Sequence, residues 1–145
     1  YVRDDTITVP TPGYVKVGDI YYKITVGSSY HTEATTVDEY GTVKASTTTG
    51  ASGRDYNALT KVFALELGSY TTTATFGRDG IQLTSHTVGS SKNINGFAMG
   101  DYITDNTFDQ FGTIQTQVTD GTGNSYVRDD TITVPTPGYV KVVDI

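Results

Sequence analysis

Residues 31–48 read HTEATTVDEYGTVKASTT, and this stretch decides the fold. Two Thr- and Val-rich runs, His31 to Val37 and Thr42 to Thr48, flank the turn-forming Asp38-Glu39-Tyr40-Gly41. β-branched residues lose rotamer freedom in a helix but fit a pleated surface, and Gly supplies the backbone freedom of a tight reversal. The spacing predicts a β-hairpin. Tracts such as Thr47-Thr48-Thr49 and Thr71-Thr72-Thr73, together with 16 Gly, extend the same composition along the chain.

Outward from this hairpin the body reads as strands throughout. Ser46 to Asn57 is polar and Gly-containing, and is expected to be a loop. Lys61 to Leu67 and Tyr70 to Phe76 flank Gly68-Ser69 and read as a second hairpin, and Ile81 to Val88 follows a turn at Gly77-Arg78-Asp79-Gly80. Ile94 to Met99, Tyr102 to Ile103 and Thr113 to Val118 are further strand candidates. The nearest approach to a 3.6-residue period is Tyr56 to Leu67, which still reads mostly as strand. The expected fold is all-β, an antiparallel sandwich or jelly roll of roughly seven to ten strands.

The ends of the chain repeat each other. Residues 1–20 read YVRDDTITVPTPGYVKVGDI and residues 126–145 read YVRDDTITVPTPGYVKVVDI, differing only at Gly18 against Val143. The chain therefore spans one 125-residue repeat and the start of the next. Ile7 and Val9 in copy one, and Ile132 and Val134 in copy two, alternate as on one face of a strand. Val15 and Val17, with Val140 and Val142 as their twins, continue beyond Pro10-Thr11-Pro12-Gly13 and Pro135-Thr136-Pro137-Gly138. Proline belongs at sheet edges and strand ends, so these eight apolar residues are candidates for strand donation between units. Gly18-Asp19 is expected to be a β-bulge, the point where copy one bends into the body. The organisation expected is a donor segment over 1–20, a sandwich body over 21–118 completed by a donated strand, a polar linker over 119–125 and a complementing segment over 126–145.

Composition excludes several function classes. There is no Cys, hence no disulfide framework, thiolate nucleophile or zinc–thiolate site. A net charge of −6 disfavours nucleic acid and anionic membranes, and no apolar run is long enough to span a bilayer. The two histidines, His31 and His86, stand apart amid Thr and Ser, and no G-x-S-x-G elbow, phosphate-binding loop or H-E-x-x-H motif occurs. An enzyme is not expected. Richness in Thr, Ser, Gly and Asn with few Lys points to an extracellular or cell-surface protein of prokaryotic or viral type.

Two sets of residues carry binding potential. Asp101, Asp105 and Asp109 recur every four residues, and Asp120, Asn124, Asp129 and Asp130 gather near the second copy. Oxygen-rich clusters with Gly turns suit Ca²⁺, although neither matches the EF-hand spacing. Tyr21, Tyr22, Tyr30, Tyr40, Tyr56 and Tyr102 supply flat amphipathic area for a glycan or protein partner. Gly53-Arg54-Asp55 with Leu59-Thr60 recurs 24 residues later as Gly77-Arg78-Asp79 with Leu83-Thr84, which reads as a pair of equivalent turns. The function expected is a structural subunit of an extracellular fibre, assembled head to tail from copies of itself by strand donation. The alternative is an adhesin repeat that recognises glycan or protein on a neighbouring cell surface.

Overall fold

A computed structural model describes residues 1–142. It is all-β and antiparallel, with no helix among the described residues. Three short strands, β1 (Val2–Arg3), β2 (Tyr14–Val17) and β3 (Ile20–Lys23), form a small sheet in the order β1-β3-β2. Six strands follow as an unbroken meander: β4 (Ser28–Val37), β5 (Val43–Asn57), β6 (Val62–Phe76), β7 (Gln82–Lys92), β8 (Ala98–Phe108) and β9 (Ile114–Gly123).

The described residues thus bear out the all-β antiparallel expectation, as a three-stranded and a six-stranded sheet. The six strands make one sheet, and only Tyr21, Phe63 and Ala74 among the apolar side chains are buried. The accessible surface is 11040 Å², about one and a half times the ~7,200 Å² of a compact monomer of this mass. The physical reason lies in the side chains: rows of Thr, Ser and Gly offer little apolar area to a second layer, so stability rests on cross-strand pairing instead.

The turns explain the meander. Asp38 accepts hydrogen bonds at Oδ1 from the amides of Tyr40 and Thr42, both at 2.9 Å, and Asp109 does the same for Phe111 (2.8 Å) and Thr113 (2.9 Å). Asn93 repeats the arrangement with Asn95 (2.9 Å) and Phe97 (3.0 Å). Each of these turns closes on a Gly with left-handed φ, at Gly41 (82°), Gly112 (79°) and Gly96 (83°). That is a tight turn followed by a Gly bulge, a standard short hairpin link.

Four expectations along the chain change. Ser46 to Asn57 is the length of β5 rather than a loop, and Gly68-Ser69 lies inside β6 rather than at a turn. A Cβ at Gly68 would stand 3.0 Å from Ser52 Oγ, a close approach in mid-strand. Residues 119–123 belong to β9, so the linker shortens to Asn124-Ser125. Gly53-Arg54-Asp55 lies within β5, whereas Gly77-Arg78-Asp79 is a turn, so that apparent repeat has no structural counterpart.

The register exposes a different repeat. Tyr30, Gly50, Tyr70, Gly89, Tyr102 and Gly121 stand side by side across all six strands. The neighbouring row on the same face is Thr32, Thr48, Thr72, Thr87, Thr104 and Thr119. Hydroxyls bond within each hairpin, Thr32 to Thr48 at 2.8 Å, Thr72 to Thr87 at 2.7 Å and Thr104 to Thr119 at 2.9 Å. The sheet is thus three hairpins, each carrying Tyr-x-Thr on its first strand and Thr-x-Gly on its second.

Candidate functional site

The duplicated segment has a local fold of its own. In copy one, Asp4 accepts hydrogen bonds from the amide (2.9 Å) and hydroxyl (2.5 Å) of Thr6, and Tyr14 Oη donates to its other oxygen at 3.2 Å. In copy two, Asp129 bonds Thr131 in the same way at 3.0 and 2.6 Å, and Tyr139 Oη reaches Asp129 at 3.4 Å. Arg3 pairs with Asp5 at 2.6 Å and Arg128 with Asp130 at 2.7 Å. The hydrogen bonds from Thr6, and then from Tyr14, hold the Asp4 carboxyl below its ordinary range, and those from Thr131 and Tyr139 do the same for Asp129. Partial burial, followed by the bond to Asp4, raises the Tyr14 phenol.

What differs is the third strand. Copy one is completed by β3, whose residues pair with both β1 and β2. Gly18-Asp19 is the two-residue turn between β2 and β3, with Gly18 at φ 61°, and not a bulge into the body. Ile145 is the counterpart of Ile20, the first residue of β3. Val143, which stands where copy one has Gly18, falls outside the described residues.

Copy two pairs with no strand among the described residues. Ile132 is half-buried, while Val134 is 67% exposed, so the expected groove-filling by these two side chains is not seen. Ile7 and Val15 are likewise half-buried, and Val9, Val17, Val140 and Val142 are exposed. Without a neighbouring strand, alternation alone provides no surface to bury against.

The entry to copy two is anchored on the large sheet. Asn124 donates from its amide to the Met99 carbonyl at 2.7 Å and from Nδ2 to the Ala98 carbonyl at 3.0 Å. Tyr126 Oη donates to the same Ala98 oxygen at 2.7 Å, and its ring lies 5.7 Å from that of Phe97. Tyr1, the equivalent of Tyr126, is 79% exposed.

The acidic candidates do not converge. Asp101 and Asp105 lie on one face of β8, about 13 Å apart at strand rise. Asp109 is committed to its turn amides, Asp129 to Thr131, and Asp130 to Arg128. Asp120 lies on β9 opposite Ile103. Among the described residues, no three acidic or histidine side chains are grouped to hold a metal ion. His86 instead bonds Asp105 directly across β7 and β8, Nδ1 to Oδ1 at 2.5 Å, while His31 lies on the edge strand β4, 3.9 Å from Glu33.

The tyrosines divide. Tyr70 lies over Gly50, with Cε1, Cζ and Oη 2.3, 2.4 and 2.6 Å from the place a Cβ would occupy. Tyr102 covers Gly89 in the same manner, at 2.3, 2.2 and 2.5 Å. With Tyr30 they border an open groove of about 290 Å³, floored by Ser52 and Gly68. Tyr56 stacks on Phe63 at 5.0 Å, Tyr21 is buried beneath Lys16, and Tyr40 is exposed at a turn. Tyr70 is not evident as a site residue from local sequence, because its partner Gly50 is twenty residues away; the paired recurrence of Tyr-x-Thr and Thr-x-Gly is the signal that finds it. Among the described residues, no helix is long and apolar enough to cross a membrane. No protein-family model matches the chain, and no curated protein or solved structure is similar to it.

Proposed function

We propose that this chain is a non-enzymatic structural unit of an extracellular fibre, assembled head to tail from copies of itself. The observation that carries this reading is the surface: 11040 Å² around a single-layer sheet with almost no interior. A fold that gains so little by burying its own side chains gains more from neighbours of the same kind. Copy two supports the same conclusion, because it repeats the local fold that opens the small sheet of copy one. A strand donated from one unit to the sheet edge of its neighbour would join consecutive units. Light scattering and electron microscopy of the purified chain test the proposal. End-to-end oligomers or filaments are expected; monomeric particles at every concentration would refute it.

One observation favours a second reading, that of a glycan- or protein-binding adhesin repeat. The groove beside Tyr30, Tyr70 and Tyr102 joins aromatic rings to serine hydroxyls, a chemistry suited to sugar rings. Titration with oligosaccharides separates the two, since this reading requires saturable binding that Tyr70→Ala abolishes.

A further inference from the structure

The two free edges of the six-stranded sheet are complementary, and we infer that β9 of one unit pairs antiparallel with β4 of a second copy of this chain. This rests on the fibre reading above and specifies the surface that would build it. Both edges are exposed along nearly their whole length. Long unpaired edges invite strand addition unless proline, lysine or a cover blocks them. Neither β4 nor β9 contains Pro or Lys.

Register selects the pairing. Within the sheet, Tyr and Gly alternate across six strands, and each interior tyrosine lies over the glycine of the preceding strand, Tyr70 over Gly50 and Tyr102 over Gly89. At one edge Tyr30 has no preceding strand and is 77% exposed. At the other edge Gly121 has no following strand among the described residues, and the nearest atoms to a Cβ built there are the Asp101 carbonyl oxygen and the Cβ and Cα of Tyr102, with no ring over it. Placing Tyr30 of a second copy beside Gly121 continues the alternation without interruption. The same register sets Thr119 beside Thr32 and extends the threonine row.

The opposite face agrees. In this register Asp120 stands directly across from His31 of the second copy. The sheet already contains that pair in an interior position, where His86 and Asp105 face each other across β7 and β8 at 2.5 Å. Glu33 of the second copy then faces Val118, so no carboxylate meets another head-on.

Chain connectivity permits the arrangement. β9 leads through Asn124-Ser125 into the duplicated segment, and in copy one that segment enters and leaves at one place, with Val2 paired to Lys23. Four residues, 24–27, then lead to β4. The small sheet is therefore an elaborate hairpin loop, and strands before and after it can lie side by side.

The natural absence of Cys makes the test direct. A chain carrying His31→Cys is mixed with one carrying Asp120→Cys under mild oxidation. Directly opposed residues sit about 4.5–5.5 Å apart, within disulfide range, so a covalent heterodimer is expected. The pair Ala34→Cys with Asp120→Cys, offset along the strand, should not link. Sedimentation adds an independent arm: His31→Asp and Asp120→His should each weaken association at least about fivefold, and the double variant should recover it. Both positions are exposed, so monomer melting reports that the fold is intact. If the wild-type chain associates but neither cross-linking nor charge exchange follows this register, the edge pairing is wrong and the fibre reading stands. If the wild-type chain never associates, both fall.

Discussion

Replacing Gly50 with alanine puts the tyrosine-over-glycine arrangement to a quantitative test. In an ordinary strand the change is favourable by about 0.5–1 kcal/mol, because glycine loses more backbone freedom on folding. Here the new Cβ would stand 2.3 Å from Tyr70 Cε1, so the ring must swing away. Lifting it exposes roughly 80 Å² of ring and backbone, about 2 kcal/mol at 25 cal/mol/Å². The net effect should be a loss of about 1–1.5 kcal/mol, or a midpoint lower by about 3–5 °C. In a Tyr70→Thr background the ring is gone, and Gly50→Ala should then stabilise by about 0.5–1 kcal/mol. The coupling in this double-mutant cycle is therefore about 2 kcal/mol, read from urea unfolding followed by circular dichroism. A Gly50→Ala change with the same sign and size in both backgrounds would refute the reasoning.

Lys61 holds a left-handed φ of 58° in the β5–β6 turn, and Lys61→Gly should raise stability by up to about 1 kcal/mol in the same unfolding assay. Asp4 and Asp129 should both titrate below the ordinary 3.8 by carboxyl NMR, and Thr6→Ala or Thr131→Ala should move the matching residue upward. A depressed carboxyl stabilises the folded form above its unfolded pKa, so the order these residues give should be lost as pH falls below 3.8 through the lowered value. Tyr14, raised from 10.0, carries the opposite sign: its contribution is complete below 10.0 and is lost as pH rises through the higher value.

The strands were legible in the sequence where a turn signal separated them. Asp38 to Gly41 marks its hairpin because Asp and Gly each perform a distinct task there, an acceptor for two amides and a left-handed φ. Gly68 misled for the same reason that Gly41 informed. Glycine also serves close packing in mid-strand, and composition alone does not separate the two uses. The number of layers was less legible still. Period-2 alternation of Thr with other residues looks the same whether the second face is covered by a sheet or by water. The duplicated segment was recognisable as a unit, but its strand pairing in copy one depends on residues 20–23, at and beyond the edge of the duplicated stretch. The Tyr–Gly register was hidden because it links residues through six strands rather than along one.

Fibre diffraction from aligned assemblies tests the central claim most directly. Continuous edge pairing puts six strands of each unit along the axis at 4.7–4.9 Å apiece. It predicts a meridional reflection near 4.8 Å and an axial repeat of about 29 Å per unit. Filaments with no meridional strand spacing, or with an axial repeat unrelated to six strands, would contradict it.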